Sequence, residues 1–587
     1  MCGITGVIGH GAPQKAFEGL KALEYRGYDS WGIAVPGDGK FYLERHVGKI
    51  GAAESSGLPD ALLALGHTRW ATHGKVSEKN CHPHLSMDGK IAIVHNGIVE
   101  NFAELKRELM LKKFTFKSDT DSEVIANLIQ DALSEKGVSF EEAVRLSLLR
   151  LEGYYAVAAI RLGEGKIVCG RNGSPLVLGI GKENLFVASD ATGFLCRTKK
   201  AVFLNDSEMA VLTGDLKFRV ISVGSGKEAG FKIKELQWGI EQAKKGAYEH
   251  FMLKEICEQP SAIRAAAEQP EEKLGEIGRL VNNSTRIYLV GCGSSYHACL
   301  CGAYFFSRIA RLEIVACLAS EFSMHAGFLS KDSLVIAVSQ SGETADTLEA
   351  IKAAKAKGAK IASIVNAMDS SIMRMSDFSL LMNAGPEICV LSTKSYTAQL
   401  VVLLLLAYTA AGKKQEGKAT VLSAAKDAEE ILNSSQGKIK ALAKKISASK
   451  DIFVIGRSDA FPSALEAALK IKEVSYIHAE GFAGGELKHG TIALIEDGTP
   501  AIVLSTPETK GLTLSNAIEM QSRGAFIIGV DSTENRVYDF SIKVPDSGAA
   551  NPVSMIVPVQ LLAYYLALER GLDPDKPRNL AKSVTVK

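Results

Sequence analysis

A chain of 587 residues is too long for one core and divides into about three or four domains. Its 68 Lys and Arg nearly balance 66 Asp and Glu, and a net charge of +2 provides no field for nucleic acid or an anionic membrane. An anionic ligand therefore needs a local site. The 46% hydrophobic content predicts compact units, and ten scattered cysteines fit reduced thiols better than a disulfide framework.

The chain opens Met1-Cys2-Gly3-Ile4-Thr5-Gly6. Removal of Met1 leaves Cys2 with both a thiol and a free α-amine, whose ordinary pKa values of about 8.5 and about 7.7–8.0 make proton exchange between them nearly thermoneutral. Taken alone, Cys2 also reads as a small apolar residue opening a buried strand. No basic segment with an apolar core opens the chain, so no leader is expected and the expected compartment is the cytoplasm. From residue 1 to about 225, short runs such as Ile91-Ala92-Ile93-Val94 and Tyr154–Ile160 predict stacked sheets with covering helices. Residues 226–280, with Glu241–Lys245 and Phe251–Ile256, read as a linker and docking helices.

The C-terminal half repeats itself. Ile287–Gly291 corresponds to Ile452–Gly456, Leu334–Ser339 to Pro500–Ser505, and the helix around Gln399 to that around Gln560, with offsets of 165, 166 and 161 residues. Each copy, 281–417 and 443–575, alternates Val/Ile-rich strands with helices, which predicts a doubly wound parallel sheet. A polar tail, 576–587, follows. Leu400–Ala411 falls short of the roughly 20 residues of a membrane span and reads as a buried helix.

Ser339-Gln340-Ser341-Gly342-Glu343-Thr344 joins a strand to a helix expected over 346–357. Hydroxyls and N–H groups at a helix start hold phosphate without a lysine, so Ser339, Gln340, Ser341 and Thr344 are candidate ligands, assisted by Ser294 and Ser295. An ordinary capped helix fits the same residues. At the equivalent turn of the second copy, Ser505-Thr506-Pro507-Glu508-Thr509, Pro507 replaces a donor and the glycine is missing, so only the first copy is expected to hold phosphate. Glu466, Lys470 and Glu473 share one helical face, which by spacing alone also suits a solvated surface. Cys81-His82-Pro83-His84 and Cys292, His297, Cys299, Cys301 contain ligand residue types without zinc-like spacing, and no metal is expected.

Cys2–Gly9, Leu23–Ser30, Gly66–Gly74 and Val94–Asn101 together resemble the class II glutamine amidotransferases. The resemblance implies an N-terminal-nucleophile αββα glutaminase domain over 1–225, with Cys2 as nucleophile and Asn96 and the Gly97 N–H as oxyanion donors. Arg69 suits the glutamine α-carboxylate and Asp121 its α-amine. Thr72 and His73 complete the substrate wall, and Trp70 matches the gate of an ammonia passage.

The two C-terminal copies resemble sugar isomerase (SIS) domains. The runs Glu473–Glu480, Gly485–Gly490, Gly385–Lys394 and Pro577–Val586 extend the likeness to the glucosamine-6-phosphate synthase family over essentially the whole chain. This implies conversion of D-fructose 6-phosphate and L-glutamine to D-glucosamine 6-phosphate and L-glutamate, without a cofactor. By resemblance Glu473 shuttles the proton between C1 and C2, Lys470 lies near the anomeric end, and Lys582 forms an imine with the ketone. His489 is the ring-opening acid/base supplied across a homodimer interface, and Val390, Ser392 and Ala581 line the pocket. Ser294 stands where the family commonly has threonine, and the hydroxyl survives. A phosphoribosyl-transferring amidotransferase would need an acidic pyrophosphate loop, which the chain lacks. A mere sugar-phosphate sensor would not need Glu473, Lys470, His489 and Lys582.

Overall fold

The computed structural model describes residues 2–51, 53, 57–71, 73–236 and 245–584. Thr72 and the connector 237–244 lie outside the described residues. The chain forms two compact units, Met1–Ala243 with Ala581–Lys587, and Lys244–Leu580.

Strand parity builds the first unit. In the strand Gly3–Gly9, Ile4 and Ile8 enter one core cluster and Val7 another. The strands Ser30–Gly37, Leu63–Arg69 and Ile91–Gly97 divide their apolar residues the same way, as a two-residue side-chain period requires. An eight-stranded and a six-stranded antiparallel sheet therefore share the cluster of Ile4, Leu65, Ala92, Val94 and Ala158 between them. Their outer faces take helices. Ala12–Leu23 covers the larger sheet, and Glu123–Lys136 with Phe140–Leu148 covers the smaller, giving αββα layering.

Four histidines are buried at one end of this stack. His67 stacks on His82 with centroids 4.1 Å apart, His82 meets His84 edge-on at 4.4 Å, and the His95 N–H donates to His82 Nδ1 at 3.3 Å. Burial holds all four below the ordinary imidazole range, His67 down to about 3, so the quartet is neutral in the folded chain.

The second unit contains two five-stranded parallel sheets. Their orders are Val315–Leu318, Arg286–Gly291, Ser333–Ser339, Lys360–Val365, Phe378–Leu381 and, in equivalent positions, His478–Ala483, Asp451–Gly456, Pro500–Leu504, Phe526–Asp531, Phe540–Lys543. Each is doubly wound in the order 2-1-3-4-5. Central strands buried on both faces read as unbroken apolar runs, Leu334–Val338 being wholly buried. One core runs through both copies and takes in the apolar helices Lys394–Ala410 and Asn551–Glu569. Gly548–Glu569 is the one helix among the described residues long and apolar enough to cross a membrane, and 94% of its apolar window is buried in this core.

The neutral histidines predict acid lability of the first unit. An unfolded histidine titrates near 6.5, so below that pH the unfolded chain takes up protons the folded quartet excludes, and stability falls as pH drops from about 6.5 toward 3. Between pH 7 and 5.5 each histidine is expected to cost about 1 kcal/mol. Hydrogen exchange of the strands Leu63–Arg69 and Ile91–Gly97 in the full chain should show protection falling over that interval, and replacing His84 by Gln should flatten the dependence.

Candidate active sites

In the first unit the strand Gly3–Gly9 pairs with Leu63–Arg69 on one side and Asn184–Ala188 on the other. Gly3 and Ile4 lie opposite Thr68 and His67, which brings Cys2 beside the end of the strand Leu63–Arg69. The Trp70 N–H donates to Cys2 Sγ at 3.1 Å. Burial pushes the Cys2 thiol up, and the Trp70 hydrogen bond opposes that shift. Trp70 itself packs edge-on against Tyr28 at 5.4 Å.

Asn96 reaches the same point from the smaller sheet. Its Nδ2 donates to the Cys2 carbonyl at 2.8 Å. Gly97 has φ of 120°, and a Cβ there would sit 1.9 Å from the Tyr154 carbonyl oxygen, so no other residue fits the turn. Arg69 is buried, and its Nη atoms donate to the carbonyls of His73, Gly74 at 3.1 Å and Lys75 at 3.5 Å. These contacts fix the guanidinium in place and use three of its five N–H groups. His73 packs edge-on against Phe102 at 5.6 Å. Asp121 is buried, with Oδ2 accepting the Val99 N–H at 2.8 Å. Thr72 is outside the described residues.

In the second unit, the crevice between Arg286–Gly291 and Ser333–Ser339 is where strand order reverses, and two loops flank it. In the loop after Ser339, Ser339 Oγ accepts the Gly342 N–H at 3.0 Å and lies 3.2 Å from Thr344 Oγ1. Ser341 Oγ accepts the Glu343 N–H at 3.2 Å, and the Gln340 carbonyl accepts the Asn366 N–H at 3.1 Å. Gly342 has φ of 65°, and a Cβ there would meet Ser370 Oγ at 2.0 Å. Glu343 turns away from the crevice, its carboxylate accepting the Ser371 N–H and hydroxyl at 2.8 and 2.7 Å. The helix Ala345–Ala356 begins directly after this loop.

The second loop leads into the helix Ser294–Phe305, where Ser295 is buried and Ser294 faces the other copy. Ser294 Oγ donates to Glu466 Oε1 at 2.8 Å and accepts from Lys470 Nζ at 3.1 Å. Lys470 is 1% exposed, with Glu473 Oε2 at 2.7 Å and Glu466 Oε1 at 3.3 Å. Three partners therefore meet the three donors of the ammonium. Burial opposes the charge on Lys470, but the Glu466 and Glu473 carboxylates outweigh it and raise the ammonium above its ordinary range. Burial likewise opposes the Glu466 charge, and Lys470 and His297 hold that carboxyl below its ordinary value. The face bearing Glu466 and Lys470 is thus interior, and the solvated-surface alternative for this helix falls because Ser294 and His297 cover it.

Spacing alone did not reveal His297, whose Nδ1 lies 2.8 Å from Glu466 Oε2. Its signal is a polar pair, Ser294 and His297, three apart on one face of a helix whose second half is apolar. His67 is a further buried polar residue without an assigned role.

The segment carrying Val390 and Ser392 is irregular and held from both sides. The Glu387 carboxylate accepts the N–H groups of Thr393 and Ser395 at 3.0 and 3.1 Å, and Glu255 accepts that of Cys389 at 3.1 Å. Ser392 Oγ lies 2.6 Å from Ser395 Oγ. His489 is exposed at the end of the 3₁₀ turn Gly484–His489. Ala581 and Lys582 belong to the terminal segment Ala581–Lys587 of the first unit. Among the described residues no group of three or more His, Cys, Asp or Glu is placed to hold a metal ion.

In the second copy the equivalent turn is occupied by its own side chains. Thr506 Oγ1 lies 2.9 Å from Thr509 Oγ1, and Lys510 Nζ pairs with Asp531 at 2.8 Å.

A glutamine amidotransferase domain model matches residues 67–196, and an SIS domain model matches 280–409 and 445–570. Over its whole length the chain is 46% identical, across 611 aligned positions, to the glutamine–fructose-6-phosphate aminotransferase (isomerizing) of Pyrococcus horikoshii, all of which is covered. It is 45% identical over 609 positions to that of Thermococcus kodakarensis, again with 100% of both chains covered. Among solved structures, the C-terminal domain of glucosamine-fructose-6-phosphate aminotransferase from Francisella tularensis is 31% identical, with a TM-score of 0.51 over 57% of this chain and 99% of that one. By full-length identity and by its three matched domains, the chain belongs to the glutamine–fructose-6-phosphate aminotransferase (isomerizing) family.

Proposed function

We propose that the protein converts D-fructose 6-phosphate and L-glutamine to D-glucosamine 6-phosphate and L-glutamate, with the following division of labour. Cys2, freed of Met1, attacks the glutamine amide carbon through Sγ while its α-amine takes the thiol proton and passes it to the departing ammonia. Asn96 Nδ2 and the Gly97 N–H hold the oxyanion of the tetrahedral intermediate. Arg69 and Asp121 grip the α-carboxylate and α-amine, with Thr72 and His73 beside them. Ammonia leaves, and water hydrolyses the thioester to glutamate.

Ser339, Gln340, Ser341 and Thr344, with Ser295, hold the sugar phosphate, and the partner subunit's His489 opens the ring in a cytoplasmic homodimer. Lys582 forms an imine at C2 of the open ketose, and ammonia, gated by Trp70, displaces its amine. Glu473 then removes a proton from C1 and returns it to C2, while the O1 proton passes to the C2 nitrogen, so that C1 becomes the aldehyde and C2 carries the amine. Lys470 lies near the anomeric end of the sugar, and Val390, Ser392 and Ala581 line the pocket. The observation that carries this reading is the buried Lys470 ammonium, held between Glu466 and Glu473 and joined through Ser294 to the loop that starts the first copy's helix.

Glutamate and glucosamine 6-phosphate should appear in near-equal amounts, with glutamate release falling sharply when fructose 6-phosphate is omitted. Glu473→Gln should lower amino-sugar formation by about 10²–10⁴-fold, as loss of a general base does, and leave glutamate release with sugar present within a few-fold. Glutamate without amino sugar in the unaltered protein would withdraw the roles of Glu473 and Lys582. Gly342→Ala should raise KM for fructose 6-phosphate at least tenfold, because the new methyl group displaces Ser370 and opens the loop. Measured glutamine KM should not move with it.

A further inference from the structure

His67 is wholly buried and occurs in none of the roles above, yet it touches the oxyanion donor directly. Parity explains the meeting. His67 follows Leu63 and Leu65 onto the inner face of the larger sheet, and Asn96 follows Ala92 and Val94 onto the inner face of the smaller one. The two side chains therefore approach each other across the gap between the sheets. His67 Nε2 lies 2.9 Å from Asn96 Oδ1 and 3.0 Å from the His95 carbonyl oxygen.

A carbonyl oxygen only accepts, so the contact with His95 requires the proton on Nε2. That proton fixes the amide in turn. The Asn96 atom facing an N–H must be its oxygen, and the nitrogen is then turned to the opposite side, where Nδ2 donates to the Cys2 carbonyl. His67 Nδ1 is buried with no hydrogen-bond partner among the described residues, as a neutral Nε2–H tautomer permits. The stack on His82, with rings inclined by 20°, holds the imidazole plane. Without the His67 N–H, only the Cys2 carbonyl would orient the Asn96 amide, and an amide turned oxygen-first would repel a developing oxyanion.

We propose that His67 is a positioning residue for the glutaminase reaction, its Nε2–H locking the Asn96 amide with nitrogen toward the Cys2 nucleophile. This rests on the assignment of Asn96 as an oxyanion donor. An oxyanion exists only in the transition state and its neighbouring intermediate, so loss of the lock should act on kcat and spare KM.

The test uses the full chain and measures glutamine hydrolysis in the presence of fructose 6-phosphate. His67→Phe keeps a flat ring on His82 and removes the donor, and should lower kcat ten- to a hundredfold with KM for glutamine within about twofold. His67→Gln carries an N–H to nearly the position of Nε2 and should recover kcat to within about fivefold of the unaltered protein. In an Asn96→Ala background, His67→Phe should change kcat by less than twofold, because its target is gone. Inactivation by iodoacetamide, which needs the Cys2 thiolate and no oxyanion hole, should proceed at an unchanged rate in every variant. If His67→Phe does not fold, His67→Asn replaces it, its amide being too short to reach Asn96, with the same expectations. The inference is overturned if kcat stays within twofold, if KM rises in place of a fall in kcat, if Gln rescues no better than Phe or Asn, or if the loss persists undiminished without Asn96. Failure of the wider reading would look different: Asn96→Ala or Cys2→Ala would themselves leave glutamine hydrolysis intact.

Discussion

A polar group carried into a dry interior must bring its partners, and both units of this protein are organised around that constraint. Breaking one side of a buried ion pair typically costs about 3–5 kcal/mol, so such groups arrive as closed sets. Lys470 has three donors and three acceptors around it, drawn from its own helix and from Ser294 of the other copy. Glu466 is completed by His297. In the first unit, Arg69 is met by the carbonyls of His73, Gly74 and Lys75, and the four buried histidines avoid the cost of charge by staying neutral. A neutral imidazole supplies one donor and one acceptor, and His67 uses its donor on Asn96 and the His95 carbonyl. The loops obey the rule with carboxylates. Glu343 takes the N–H and hydroxyl of Ser371, and Glu387 takes the N–H groups of Thr393 and Ser395, at helix starts where those donors would otherwise lack partners.

Much of this was legible in the sequence, because the signals were periodic or unique. Val/Ile runs with turn residues gave the parallel sheets, and the near-constant offset gave the duplication, since each strand of one copy has its counterpart in the same position of the other. Gly97 and Gly342 were readable as positions but not as necessities, because a positive φ and a neighbouring carbonyl or hydroxyl are tertiary facts. The helix bearing Glu466, Lys470 and Glu473 shows the limit most plainly. Its pattern is equally that of a surface helix with paired charges, and only the arrival of Ser294 and His297, about 170 residues away in sequence, makes it interior. His67 escaped for a related reason. Its motif drew attention to Arg69 and Trp70, while its partner Asn96 lies on a strand of the opposite sheet. Strand parity on both sheets was available from sequence, but the facing of one sheet on the other was not.

Duplication also explains how one chain came to hold two kinds of chemistry in the second unit. The helices Ser294–Phe305 and Ala460–Ser475 each follow the first strand of their sheet and so occupy equivalent places. Where those helices meet, a hydroxyl from one copy contacts the carboxylate and ammonium of the other. Two identical copies would have offered either two phosphate loops or two charged faces at that contact. The copies have diverged at the turn after their third strand: the first has the glycine-containing turn after Ser339. The second has Pro507 in the corresponding turn and a Lys510–Asp531 pair at the start of the helix that follows. The second copy sets a helix against the first, and the charged groups on that helix can be buried because Ser294 and His297 of the neighbouring copy supply their missing partners.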